Sequence, residues 1–153
     1  MLTLPHTLVA AVLVRYLPPW LALPLAFISH FFLDFYITHW NPHLYTEYKK
    51  AGRISRSSWL VILVDGFLAL GVCFYILTNH WSNPALIALY AGAIFLATLP
   101  DTVEIPYYFF GVKSRWITRY IGYQHRHQSN GSFYLGLLTQ FIVVALSLAL
   151  FFR

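Results

Sequence analysis

The chain has 153 residues, 59% of them hydrophobic, 19% aromatic and only 10% charged, which is too little polar surface to coat a soluble globule of this size. Its formal charge of +5 does not point to nucleic acid, because Lys and Arg gather in two short segments instead of a stripe interleaved with aromatics that could stack bases. The single Cys73 excludes an intrachain disulfide, and the N-terminus lacks the basic region and small-residue site of a cleavable signal peptide.

The expectation is one membrane-embedded helical domain over residues 1–153: an all-α bundle of four long transmembrane helices plus a short N-terminal helix. Residues 3–17 are apolar but too few to span unaided. They carry His6 near the start and Arg15 near the end, and Pro18-Pro19 close them. Residues 20–38 are long enough to cross, accept Pro24 in their early part, and stop at Trp40-Asn41-Pro42. The character then changes: Lys49, Lys50, Arg53 and Arg56, with Gly52 and several serines, make residues 43–58 a loop at a headgroup surface. Residues 59–78 span next, and residues 79–84 turn without a Lys or Arg. The chain returns through residues 85–99. Pro100-Asp101-Thr102-Val103-Glu104-Ile105-Pro106 closes that helix and leads to a second basic segment with Lys113, Arg115, Arg119 and Arg126. Residues 133–152 form the last span. The charge asymmetry between these two segments and the turn puts the basic segments in the cytoplasm.

Asp34, Glu47, Asp65, Asp101 and Glu104 are the whole acidic inventory, and four of them lie within or at the ends of apolar segments. They do not solvate a surface. His30 and Asp34 are four apart, so on a helix they project from one face about 6 Å from each other. Such a pair is costly in hydrocarbon unless neutralised, paired or metallated, and a functional site is its default reading in a membrane segment. The competing reading is a hydrogen-bonded pair that ties two helices together.

Topology brings His6, His30, Asp34, His39, Asp101, Glu104, His125 and His127 to one membrane depth, with Asp65 about 10 Å inside its own segment from the same side. Only His80 lies at the far side. Metal ligation is expected of His6, His30, Asp34, Asp101, His125 and His127. Glu104 is a ligand or a general base, and Arg126 would grip an anionic substrate as guanidinium forks do. Plainer readings stand beside these: Asp101 and Glu104 could meet Arg115 or Arg119, and the 125–127 stretch could be a wetted loop. Asp65 either orients a ligating histidine as an outer carboxylate or stays protonated. His39 and His43 straddle Pro42, which interrupts a helix face, so they rank below His30. Imidazoles mixed with carboxylates suit zinc first, then manganese or iron, ahead of magnesium or calcium. More donors than a closed structural zinc site needs imply an open site or two ions, able to lower the pKa of a water.

The Ser29-His30-x-x-x-Asp34 helix, the Pro100-Asp101 helix end, the His125-Arg126-x-x-Ser129 loop and the early His6 together resemble the motif set of the bacterial inner-membrane metal-dependent hydrolases, the family that includes a LexA-binding member. In that family the Pro-Asp and His-Arg elements usually precede the His-x-x-x-Asp helix, whereas here they follow it. The His-Arg stretch is compressed to His127-Gln128-Ser129, and Glu104 falls one position later than the usual second acid. The resemblance implies a prokaryotic inner-membrane location and metal-dependent hydrolysis.

The expected function is a membrane-embedded metal-dependent hydrolase at the cytoplasmic leaflet, cleaving an ester or phosphoester of a lipid-linked or amphipathic substrate with a metal-activated water. Its partners are membrane lipids and a lipid-like or phosphate-containing substrate. A non-haem di-iron oxidase or desaturase is the alternative suggested by His39-x-x-x-His43 and His125-x-His127, but seven histidines with His80 at the far side leave its boxes short. A metal or proton transporter would need polar groups reaching both faces, and the outer halves of the spans nearly lack them. A small membrane adaptor with a structural metal is the non-catalytic reading. No Ser-His-Asp or Cys-His arrangement points to covalent catalysis.

Overall fold

Prolines, glycines and short polar side chains divide the chain where its hydropathy breaks. A computed structural model describes all residues from Met1 to Arg153 as eight helices: α1 (Thr3–Tyr16), α2 (Pro19–Tyr36), α3 (Leu44–Ala51), α4 (Arg56–Asn79), α5 (Pro84–Thr102), α6 (Ile105–Phe110), α7 (Arg115–His127) and α8 (Phe133–Phe151). Pro19 and Pro84 open α2 and α5, where a missing N–H costs nothing. Ser55 and Asn83 cap α4 and α5 by accepting from the backbone N–H of Ser58 and Leu86. Gly52 and Gly111, both at φ 66°, end α3 and α6 in the left-handed conformation that glycine adopts without strain.

Helices α2, α4, α5 and α8 are each long and apolar enough to cross a membrane. The chain is an all-α integral membrane protein. Only 31 of the 153 residues are buried, and large side chains such as Trp20, Phe67, Phe74 and Phe141 stand exposed along these spans. Lipid hydrocarbon is the solvent that suits such a surface.

The short helix α1 is the centre of the bundle, packed against α2, α4, α5 and α8. Ala10 and Ala11 meet Ala22, Ala26, Ala93 and Ala97, all fully buried, and these small side chains let the backbones approach closely. At 14 residues α1 is only about 21 Å long. Tyr16 Oη donates to the carbonyl of Leu150 at 2.8 Å, which fixes the C-terminal end of α1 beside that of α8. Its N-terminus therefore stops inside the bundle, well short of the start of α4.

A helix N-terminus buried there needs partners for its free N–H groups. Gln140 of α8 accepts from Leu2 N at 2.9 Å. Asp65 accepts from Thr3 N at 2.6 Å and Leu4 N at 3.1 Å, which also sets a carboxylate against the positive end of the α1 dipole. This accounts for a carboxylate deep in a span without either expected role, ligand orientation or protonation. Asp65 caps a neighbouring helix, and through it fixes the first turn on which His6 sits.

The two basic segments, read as loops, fold into α3, α6 and α7. Their apolar sides cover one another: Ile54, Tyr108 and Ile121 form a small core with Leu44, Tyr45, Tyr48 and Ile117, while Arg115, Trp116 and Arg119 stay exposed. The apolar positions of each segment are too few to be recognised before they meet. Helix α5 runs through Pro100 to Thr102, two residues beyond the proline expected to end it.

Residues 37–43 leave α2 in extended conformation and are held by the chain before α8. Ser129 N donates to Asp34 O at 2.9 Å, His39 N to Ser129 O at 3.0 Å, and Gly131 N to His39 O at 2.8 Å, making an isolated parallel bridge between His39 and Asn130. Gln140 Nε2 donates to Trp40 O at 2.8 Å, and Thr139 Oγ1 donates to Thr38 O. The clamp fixes His39.

Candidate metal centre

Three imidazoles from three segments surround one carboxylate, all fully buried. His6 comes from the first turn of α1, His30 and Asp34 from one face of α2, and His39 from the clamped segment; each is 0% exposed. Around Asp34, His6 Nε2 lies 3.2 Å and His39 Nε2 3.9 Å from Oδ1, and His30 Nε2 lies 3.6 Å from Oδ2. Asp101, from the end of α5, brings Oδ1 within 3.8 Å of His30 Nε2. Ligating atoms of His6, His30 and Asp101 lie within 4.8 Å of one another, and the His6 and His30 rings stack at 4.3 Å. The Met1 amino group donates to Asp34 Oδ1, and Gln128 Nε2 donates to Oδ2 at 3.3 Å.

The backbone decides which nitrogen of two rings faces the carboxylates. His30 Nδ1 lies 2.9 Å from Ala97 O and His39 Nδ1 2.8 Å from Ile37 O. A carbonyl only accepts, so each Nδ1 carries the proton and each neutral ring turns a bare Nε2 toward the carboxylates. His30 Nε2, His39 Nε2 and both nitrogens of His6 are buried without a hydrogen-bond partner. The Met1 amino group answers Asp34 Oδ1, but the imidazole nitrogens stand 3.2–3.9 Å from the carboxylate oxygens with no donor between them, and most of these gaps are too long for a proton to bridge. A divalent ion fits. Donors each about 2.1 Å from one zinc stand roughly 3.4 Å apart in tetrahedral geometry, and a ring N–H tied to a backbone carbonyl is the usual outer support of a metal-bound histidine.

His39 also has the charge state of a ligand. Burial, with the Met1 amino charge adding to it, holds its pKa down at about 4, so the ring is neutral at physiological pH. Asp34 and Asp101 bring two carboxylates to the three imidazoles, and of these five residues His6, His30 and Asp101 form the group whose ligating atoms all lie within 4.8 Å of one another. The sequence reading ranked His39 below His30 because Pro42 interrupts helix periodicity. Its membrane depth beside Asp34 was the signal for it, and its exact position comes from pairing with residues 129–131.

The structure does not bring every expected donor into this set. His127 is exposed, with Nδ1 donating to Tyr123 O at 2.8 Å and its ring against Tyr123. Arg126 is exposed. His125 is half-buried, its ring 4.6 Å from that of Tyr45, and it lines a neighbouring cavity. In place of ligands, the stretch 125–131 supplies Gln128 to Asp34 and a backbone edge to His39.

That cavity, about 360 Å³, exists because α1 is short. Met1, Leu2 and Thr3 form its floor; Ile62, Asp65 and Gly66 of α4 and Thr98, Asp101 and Thr102 of α5 form its walls; α3, α6 and α7 cover it. Glu104 lines it next to Asp101. Burial, then the charges of Asp101 and Asp34, push the Glu104 carboxyl up to about 8.

The sign of the resulting pH effect is fixed. Above the ordinary carboxylate pKa of about 4.5 an unfolded Glu104 has released a proton that the folded one keeps until about pH 8. The fold therefore loses stability as pH rises across that window. In chelator-treated protein Glu104→Gln is expected to melt with the wild type near pH 4.5 and well above it near pH 8. Superimposable melting curves at both pH values would remove the burial argument.

Comparison of the chain with protein-family models, curated proteins and solved structures finds no match.

Proposed function

We propose that this chain is a membrane-embedded, metal-dependent hydrolase of a prokaryotic inner membrane, akin to the bacterial inner-membrane metal-dependent hydrolases its motifs resemble. The metal, zinc foremost, would be held by His6, His30, His39, Asp34 and Asp101 at the cytoplasmic end of the bundle. What carries the reading is the pair of buried imidazoles whose Nδ1–H groups are fixed on Ala97 and Ile37 carbonyls, leaving bare Nε2 atoms aimed at carboxylates. Orientation follows from the eight basic residues flanking the site end against none in the turn between α4 and α5.

A divalent ion in this set supplies a water of lowered pKa and a Lewis acid for a carbonyl or phosphoryl oxygen. Around it, Asp34 and Asp101 carry the compensating charge, and Gln128 steadies Asp34. Glu104 would be the proton carrier: burial, then the charges of Asp101 and Asp34, hold its carboxyl up at about 8, in the range where a carboxyl takes a proton from water and returns it to a leaving oxygen. Hydrolysis adds water across the ester bond, giving acid and alcohol. The di-iron alternative loses its histidine boxes, because His43 and His127 are both exposed.

Elemental analysis of the protein purified in detergent tests the reading directly. At least one zinc, manganese or iron per chain is expected, falling to background in His30→Ala. A metal-free preparation that also refuses added zinc would end the proposal.

A further inference from the structure

The cavity beside the donors says what kind of ester could reach them. Resting on the metal-hydrolase reading above, we infer that the site takes an uncharged carboxylic ester of a membrane lipid, with its acyl chain entering sideways between α4 and the junction of α5 with α6, in preference to a phosphoester.

Charge is the first ground. No Lys or Arg lines the cavity, and Arg126, the residue suited to gripping phosphate, is exposed and outside its lining. Asp34 holds the Met1 amino group, and one divalent ion would do no more than balance Asp65, which caps α1, and Asp101. Glu104 adds a negative charge whenever it ionises. A phosphate would bring its charge into a poorly hydrated site with no positive surplus, which is costly. A carboxylic ester brings none, and its carbonyl oxygen still has the ion to face.

Shape is the second ground. Gly66 of α4 lines the cavity, and a Cβ built on it meets nothing within 4 Å. One turn to either side, Leu63 and Leu70 are 47% and 66% exposed, so this stretch of α4 borders the acyl chains of the bilayer. Across from it, Ile105 at the start of α6 lines the cavity and is itself exposed. The lining is apolar here, while Asp101 and Glu104, both half-buried, lie further in. At about 360 Å³ the volume is at the small end of ligand cavities. It accommodates an ester head and the first part of one chain, with the remainder left in the membrane.

The test uses zinc-loaded protein in nanodiscs and three metal-directed probes: octanohydroxamate, acetohydroxamate and octylphosphonate. Octanohydroxamate is expected to bind at least tenfold more tightly than acetohydroxamate, which lacks the chain, and, with each affinity divided by that of its head group for zinc in water, at least tenfold more tightly than octylphosphonate, whose head carries the larger negative charge. Gly66→Phe should place a ring in the opening. It is expected to abolish the chain advantage while zinc content and acetohydroxamate affinity stay within twofold. A phosphonate that binds as well as the hydroxamate on that scale, a chain with no advantage, or an advantage that survives Gly66→Phe would each overturn the inference and leave the metal centre standing. Protein that holds no zinc removes the metal centre, and the inference with it.

Discussion

Asp34→Asn is expected to weaken zinc binding by more than about 100-fold while helical content stays unchanged. Loss of an outer hydrogen-bond partner to a ligand already costs about 10- to 100-fold in metal affinity, and in the proposed centre Asp34 is itself a ligand. Its two oxygens divide the centre: Oδ1 faces His6 and His39, and Oδ2 faces His30. Asparagine keeps the volume and one acceptor oxygen but removes the charge that compensates a cation in a dry interior. It also places an amide N–H₂ where a lone pair is needed. Competition titration against a chromophoric chelator reads the affinity, and circular dichroism reads the helices. An Asp34→Asn protein that binds zinc like the wild type would show that Asp34 is a helix-tying residue and not part of a metal shell.

Gly136→Ala is expected to destabilise the fold by about 3 kcal/mol or more, at the top of the range for overpacked sites. It should lower zinc binding as well, although residue 136 touches no donor. An alanine Cβ at this position would lie 2.3 Å from Trp40 N and 2.6 Å from His39 C, and backbone cannot swing aside as a long side chain does. Relief requires the segment carrying His39 to move. Movement would break its bonds to Ser129 and Gly131 and the bond from Gln140 to Trp40. Gly71→Ala is the control: nothing lies within 4 Å of its Cβ, and alanine has the better helix propensity, so stability should hold or rise. Detergent unfolding of the three proteins, with zinc titration of each, separates the outcomes. Equal stability of Gly136→Ala and wild type would mean that the clamp on His39 is loose.

The class of the protein was legible in the sequence because a membrane imposes a simple rule. Backbone polar groups must be satisfied within the segment, so long apolar stretches become helices; α2, α4, α5 and α8 lie where hydropathy places them, within a few residues. Four of the five residues at the centre, His6, His30, Asp34 and Asp101, were legible as well, two of them for a related reason. His30 and Asp34 are neighbours by helix periodicity alone, and charge in an apolar segment draws attention wherever it lies. The short helices α3, α6 and α7 were not, because each is stable only when its few apolar side chains meet the others at the end of the bundle.

Asp65 illustrates the limit best. Its position in a span shows that it needs a partner, but that partner is a pair of backbone amides some sixty residues away at the start of α1, and peptide N–H groups leave no mark in a sequence. Gly136 and Gln140 read as unremarkable residues of a last span, yet they hold the segment that carries His39. His125, His127 and Arg126 looked like the richest cluster and stand apart from the donors around Asp34, because the stretch that bears them is used for its backbone and for Gln128.

By itself the sequence determined the all-helical membrane class, the four spans, the sparseness of charge and the pairing of His30 with Asp34, all consequences of local periodicity and of the cost of polar groups in hydrocarbon. Tertiary structure alone decided that the short helix α1 would be the central one, that its buried N-terminus would be capped by Asp65 and leave a cavity above it, and that His39 would join His6, His30, Asp34 and Asp101 while His125 and His127 stand apart. Those outcomes depend on where separate segments come to rest against one another, and that is set by close helix packing and long-range hydrogen bonds, which no single stretch of the chain encodes.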